Sequence, residues 1–300
     1  MNLTLLGHIS AITTIIIWGT TFVSTKVLLN QGFTPIEILF YRFLMGLIAL
    51  WVIHPKRMTG TSRAQELYFA AAGLCGVTLY FLFENIALTY TLASNVGVIV
   101  CVSPFVTALL ARHFLEAEKP GLFFYIGFLI AISGVFLISF NSNMTLDLNP
   151  IGDLLAILAA LVWAIYSILI KKISTFGYNT IETTRTIFFY GILLMIPALF
   201  FLDFKFEITQ FYDLTNLLNI LFLGLGASAL CFVSWSFSVK ILGAVKTSVY
   251  IYSVPAITVL TSALILKEPI TLLSSLGMIL TIIGLFISER KSIPTAIKEL

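Results

Sequence analysis

Apolar runs of about 20 residues follow one another along nearly the whole chain, and about 20 is the length a helix needs to cross the hydrocarbon core of a bilayer. No other feature of the sequence restricts the fold as strongly. Only short polar turns separate the runs. The charged share, 10%, explains why they cannot be buried in a soluble core: an ordinary soluble domain carries about 25%. Mean hydropathy is +1.04. In lipid every spanning backbone group must be paired inside a helix or a closed barrel. The runs are continuous and lack the alternation of barrel strands, so the expected class is an all-α membrane protein.

Segmentation at the polar turns predicts ten helices near 7–29, 34–53, 67–90, 92–115, 120–140, 151–171, 180–202, 215–239, 244–266 and 270–289. The first segment is full length and ends in Lys26 without a small-residue cleavage pattern, so it reads as a membrane helix and not a removed signal peptide. Cys75, Cys101 and Cys231 all lie within apolar segments, which points to helix packing and away from a disulfide framework. His8, His54 and His113 are far apart. No metal or other cofactor is expected.

Within this pattern the chain is written twice. Trp18, Lys26 and Glu37 recur 145 residues later as Trp163, Lys171 and Glu182. Pro104 corresponds to Pro255, and Gly127 and Gly134 to Gly277 and Gly284. The predicted units are residues 1–141 and 150–290, five helices each, with 291–300 as a tail. Five crossings force the second copy to enter the membrane upside down, and an inverted repeat is a transporter architecture.

Orientation follows from the basic residues. With the N-terminus in the cytoplasm, Lys56, Arg57, Arg63, Arg112, Lys119, Lys171, Lys172, Lys240, Lys246, Arg290, Lys291 and Lys298 lie inside. Only Lys26, Lys205 and Lys267 lie outside, and Arg42 and Arg185 fall within helices. Both termini are therefore expected to be cytoplasmic. The net charge of +3 is spread through short turns and forms no nucleic-acid surface.

The motifs carry a resemblance. The first helix reads WGTTFVSTK and the second opens TPIEILFYRF; the third runs into the fourth through ALTYTLASN, and PFVTALLARHFLEAEKP follows. The second half gives GDLLAILAALVWAIYSILIKK and LGAVKTSVYIYSVPAITVLTSALILKEP. Their order and spacing resemble the EamA family of the drug/metabolite transporter superfamily over nearly the whole chain. The resemblance implies a ten-helix carrier of small metabolites such as amino acids. It also implies a central cavity lined mainly by the first, third, fourth, sixth, eighth and ninth helices. The small multidrug members of that superfamily use a glutamate in the first helix for proton coupling, and the first helix here has none.

Polar groups at membrane depth usually face a bundle interior or a cavity. Trp18 and Thr21 share a stripe with Thr14 and Thr25, and Trp163 with Tyr166 forms its counterpart. These residues either line a cavity or pack between helices. Glu84, with Asn85 beside it and Tyr80 one turn earlier, either meets a solute ammonium or proton or forms an ion pair with Lys26 or Arg42. Trp235 stands where the other half has Glu84, and Asn95, Tyr250 and Tyr252 are further candidates for solute contact. Glu37 with Arg42, and Glu182 with Arg185, are read as opposing gates or as interfacial anchors.

The expected function is a secondary carrier with alternating access for a small amphipathic solute, amino acids or related compounds first. An exporter of drugs or organic cations, or a carrier of the nucleotide-sugar type, is the alternative; phosphorylated solutes need several basic groups in the cavity. An intramembrane enzyme would need clustered catalytic groups, and no Walker motif is present. The expected partners are the bilayer of a cell membrane, inner or plasma, and one small solute. The oligomeric state is left open, with a monomer sufficient.

Overall fold

At several turns a polar side chain caps the helix that follows. Thr34 and Glu37 form a reciprocal capping box, with the Thr34 amide donating to Glu37 Oε2 at 2.7 Å. Asn149, Asn179 and Asp213 accept backbone N–H groups at three other helix starts. Gly32, Gly177 and Gly243 hold positive φ angles between helices, a conformation that side chains with a Cβ resist.

The computed structural model describes residues 2–90, 93–115, 120–139, 149–202, 204–265 and 270–288. Among them run ten membrane helices. They are α1 Leu3–Asn30, α2 Pro35–Ile53, α3 Arg63–Tyr90, α4 93–114, α5 Leu122–Ser139, α6 Pro150–Ile173, α7 Thr180–Phe201, α8 Leu214–Leu242, α9 Ala244–Ile265 and α10 Leu272–Ser288. The positions agree with the sequence reading to within a few residues. Seven of them are long and apolar enough to cross a membrane by those criteria alone. α5 and α10 are apolar but shorter, and α4 is broken.

Helix faces are sorted by size and shape. In α6, Leu154, Ile157, Leu161 and Ile165 point outward at helical spacing, while Ala156, Ala159, Ala160, Trp163 and Ala164 are buried. With lipid as solvent an aliphatic face needs no cover, so small residues inside let helices approach. α5 and α10 show the extreme case. A Cβ on Gly127 would lie 2.4 Å from the Ser288 amide nitrogen, and one on Gly134 would lie 2.5 Å from the Gly277 carbonyl. Partners descend along α10 as positions ascend along α5, so the two helices run antiparallel. α2 and α7 do the same, since Gly46 meets Phe188 while His54 meets Glu182.

The other packing follows a matched scheme. α1 packs on α8 and α9, and α6 packs on α3 and α4; α2 packs on α8, and α7 on α3. Replacing each helix by the one five places along maps this set onto itself.

Four helices are irregular at mid-length. α3 carries a π-helical turn at Leu74–Leu79 and α8 a longer one at Phe222–Leu230. α4 breaks at Cys101–Val102, just before Pro104, and α9 is a 3₁₀ segment over Val249–Ser253 just before Pro255. Proline removes the amide that a continuous helix would pair. π turns concentrate at functional sites because they leave carbonyls free of the regular ladder.

Candidate functional site

The irregular turns surround two tryptophans. Trp18 lies at the middle of α1 and Trp163 at the middle of α6, and their rings meet edge to face with centroids 5.2 Å apart. Trp18 Nε1 donates to the Ala227 carbonyl at 2.9 Å, within the π turn of α8. Trp163 Nε1 is buried without a partner. On the α8 side, Trp235 and Phe232 back the pair, with Trp235 5.1 Å from Trp18 and 6.0 Å from Trp163.

A cavity of about 40 Å³ opens beside this cluster, lined by Trp18, Thr21 and Phe22 of α1; Tyr80, Phe81 and Glu84 of α3; Gly97, Val100 and Cys101 of α4; Trp163 of α6; and Ile251 and Val254 of α9. Each water needs roughly 10–15 Å³ measured this way, so there is room for about three. Solute pockets are usually several hundred Å³.

Glu84 is the one carboxylate of the lining. It accepts a hydrogen bond from the Tyr80 hydroxyl at 3.4 Å, one turn earlier on α3. Arg42, wholly buried, lies behind Phe81 with its guanidinium 4.3 Å from the ring centroid and its Nε donating to Ser228 Oγ at 3.0 Å. Arg42 Nη2 has no hydrogen-bond partner. The two charges sense one another, but the ion pair found among the described residues is His54–Glu182, so Glu84 is paired directly with neither Lys26 nor Arg42. The site thus combines aromatic faces, one carboxylate and a nearby guanidinium whose hydrogen-bonding capacity is partly unused.

A profile of the EamA-like transporter family matches residues 5–140 and again residues 150–289. The chain belongs to the EamA-like transporter family. It is a multi-pass integral membrane protein of a transporter family, not an enzyme family. An uncharacterized transporter of Archaeoglobus fulgidus is 27% identical over 292 residues, 95% of this chain and 97% of its own length. An uncharacterized transporter of Clostridium kluyveri is also 27% identical, over 94% and 92% of the two chains. A probable terminal-alkyne amino-acid exporter of Streptantibioticus cattleyicolor is 24% identical over 93% and 92%. One crystal structure superimposes with a TM-score of 0.75 over 96% of each chain at 17% identity, a likeness in fold.

In this EamA-family chain the cavity gathers five of the residues singled out from sequence: Trp18, Thr21, Tyr80, Glu84 and Trp163. The rest lie elsewhere. Trp235 is fully buried behind the tryptophan pair, so α8 backs the cavity instead of lining it. Tyr166 lies against Gly76 in the π turn of α3, where a Cβ would come within 2.3 Å of its ring. Asn85 donates to the Pro35 carbonyl at 3.3 Å and ties α3 to the start of α2. The Tyr250 hydroxyl is 2.5 Å from His8 Nδ1, and Tyr252 faces Phe128 of α5. The Asn95 side chain lies outside the described residues.

The four residues read as gates or anchors are spread along the α2–α7 contact. Glu37 closes the α2 capping box and accepts the Lys205 amide at 2.9 Å. At the other end Glu182 Oε1 pairs with His54 Nε2 at 2.8 Å. Arg185 donates to the His54 and Lys56 carbonyls and lies 4.1 Å from the Trp51 ring centroid. Arg42 alone turns toward the cavity.

Sequence reasoning passed over Phe22 and Phe81 of the lining, and also the five residues Gly97, Val100, Cys101, Ile251 and Val254. One signal was available. All five lie within seven residues on the N-terminal side of Pro104 or Pro255, where a helix break exposes backbone.

Proposed function

We propose that the protein is a gradient-driven carrier of small amphipathic metabolites with an amine, amino acids first, working by alternating access around the Trp18–Trp163 pair. Glu84 is the observation that carries this reading. A carboxylate lining an aromatic cavity, with one long hydrogen bond from Tyr80, is a receptor for an ammonium group. Arg42 behind Phe81 favours a zwitterion over a simple cation, because its unused Nη2 can serve a solute carboxylate once the cavity widens. The curated relative named as a probable amino-acid exporter supports the same class.

The repeats are residues 1–141 and 150–290, followed by a tail of 291–300, and they are inverted. The antiparallel α5–α10 and α2–α7 contacts support that relation, since equivalent helices of an inverted pair must run in opposite directions. The lysine and arginine distribution supports cytoplasmic termini and a cell membrane. Trp18, Thr21, Tyr80, Glu84 and Trp163 form the solute site, and the ends of the α2–α7 contact, with Glu37 and Glu182, act as its outer and inner clasps.

The test uses purified protein in liposomes with a panel of labelled amino acids and amines. Saturable flux without ATP is expected, abolished by Glu84→Gln for amine-bearing solutes. Flux that Glu84→Gln leaves unchanged sinks the assignment.

A further inference from the structure

The cavity described above occupies one half of the molecule, toward the ends of α1 and α3 at Asn30 and Tyr90. The other half holds a different feature. Ser103 and Thr107 of α4, Tyr166 of α6, Trp235 and Ser236 of α8 and Thr247 of α9 each bury a polar side-chain atom without a hydrogen-bond partner. These elements pack against one another: the latter part of α4 on α6 and on the start of α9, and α8 on both α6 and the start of α9. Ser236 and Tyr166 are neighbours in this cluster.

Buried polar groups are normally paired, and around the cavity most are, Trp163 Nε1 and Arg42 Nη2 being the exceptions. Thr21 donates to the Trp18 carbonyl, Tyr80 to Glu84, and Cys101 to the Ile251 carbonyl. Six of the eleven unpaired atoms found among the described residues thus gather in this half. Their positions answer to the cavity lining through the repeat. Thr21 corresponds to Tyr166 by the offset that relates Trp18 to Trp163, and Glu84 corresponds to Trp235 by the offset that relates Pro104 to Pro255. A second observation concerns access. A small crevice lined by Ser174, Tyr178, Thr180, Thr183, Ser236 and Lys240 reaches this seam at Ser236 from the end of the molecule opposite the cavity.

We infer that the seam is the closed half of the transport path, leading from the Tyr178–Lys240 crevice to Trp163. In the alternate state its walls part, and water and then solute satisfy the hydroxyl and indole groups left unpaired here. The lining of this half carries no carboxylate, and its one charged side chain is Lys240 at the crevice, in contrast to Glu84 on the cavity side. It therefore gives an amine-bearing solute hydrogen bonds but no counter-charge, and release there is easier than release past Glu84. The inference rests on the carrier reading but fails separately from it.

The experiment places single cysteines in a chain whose Cys75, Cys101 and Cys231 are replaced by alanine. Ser236→Cys and Thr247→Cys are nearly isosteric and report on the seam. Thr21→Cys reports on the cavity, and Lys240→Cys is a surface control. Vesicles of each orientation are treated with a membrane-impermeant methanethiosulfonate, with no solute added. Seam cysteines are expected to react from the Lys240 face only, and Thr21→Cys from the opposite face only. Silence at both seam positions beside a reactive Lys240→Cys, or reaction from both faces, overturns the inference. The expected labelling together with no flux of any amino acid or amine would leave the seam as a path and remove only the solute assignment.

Discussion

Trp18 and Trp163 meet edge to face at the centre of the molecule, 5.2 Å between centroids, yet only Trp18 has a partner for its indole N–H. Equivalent residues of the two halves are thus in unequal states. Trp18→Phe removes the donor to the Ala227 carbonyl and is expected to cost about 1–3 kcal/mol. Trp163→Phe removes no hydrogen bond and is expected to leave stability close to wild type while weakening solute binding. Thermal unfolding in detergent, beside solute-induced stabilisation, separates the two effects.

Arg42 and Glu84 are both buried and balance each other's charge without direct contact. Removing one leaves the other uncompensated in an apolar interior. Arg42→Met alone is expected to destabilise by about 3 kcal/mol, and the Arg42→Met, Glu84→Gln double variant by clearly less than the sum of the singles. A double-mutant cycle from chemical unfolding measures the coupling. Additive effects would mean that the two charges are energetically independent.

Gly97 faces open space, with no atom within 4 Å of an added Cβ. Gly97→Leu is therefore expected to fold normally and to block flux by filling a cavity of about 40 Å³. Gly284 gives the contrast. A Cβ there would lie 2.5 Å from the Ala131 amide nitrogen, so Gly284→Val is expected to push α5 and α10 apart and lower the melting temperature by several degrees. Flux assays and melting curves on both variants test the distinction.

Arg185 ties down the chain just beyond the end of α2 by donating to the His54 and Lys56 carbonyls. Arg185→Ala is expected to speed amide exchange across residues 50–58 and to cost about 1–2 kcal/mol. Hydrogen-exchange mass spectrometry reads this directly. If flux also falls in Arg185→Ala but not in Glu37→Gln, the clasp at this end has a gating share that the other end lacks.

Much of this architecture was legible in one sequence. Helix number and approximate bounds follow from runs that only lipid can accommodate, and the small-residue stripes at Gly127, Gly134, Gly277 and Gly284 announce the α5–α10 contact. The correspondence of Trp18 and Trp163 was visible as a repeated spacing, while the meeting of their rings was not. Less visible were the π turns of α3 and α8, since Leu74–Leu79 and Phe222–Leu230 carry no local signal comparable to Pro104 or Pro255. Tyr166 and Trp235 fall on polar faces by periodicity, but periodicity does not say which of several polar faces surrounds open space.

The sequence by itself determined the solvent, the number of helices and the duplication, because lipid imposes length and composition on each segment separately. Tertiary structure decided which polar groups are used. Glu84 lines a cavity while Trp235, its counterpart, is packed behind two tryptophans, and Glu37 and Arg42, five residues apart, serve a helix cap and the layer behind Phe81. That choice depends on contacts between residues more than a hundred positions apart, and no local pattern encodes the space those contacts leave open.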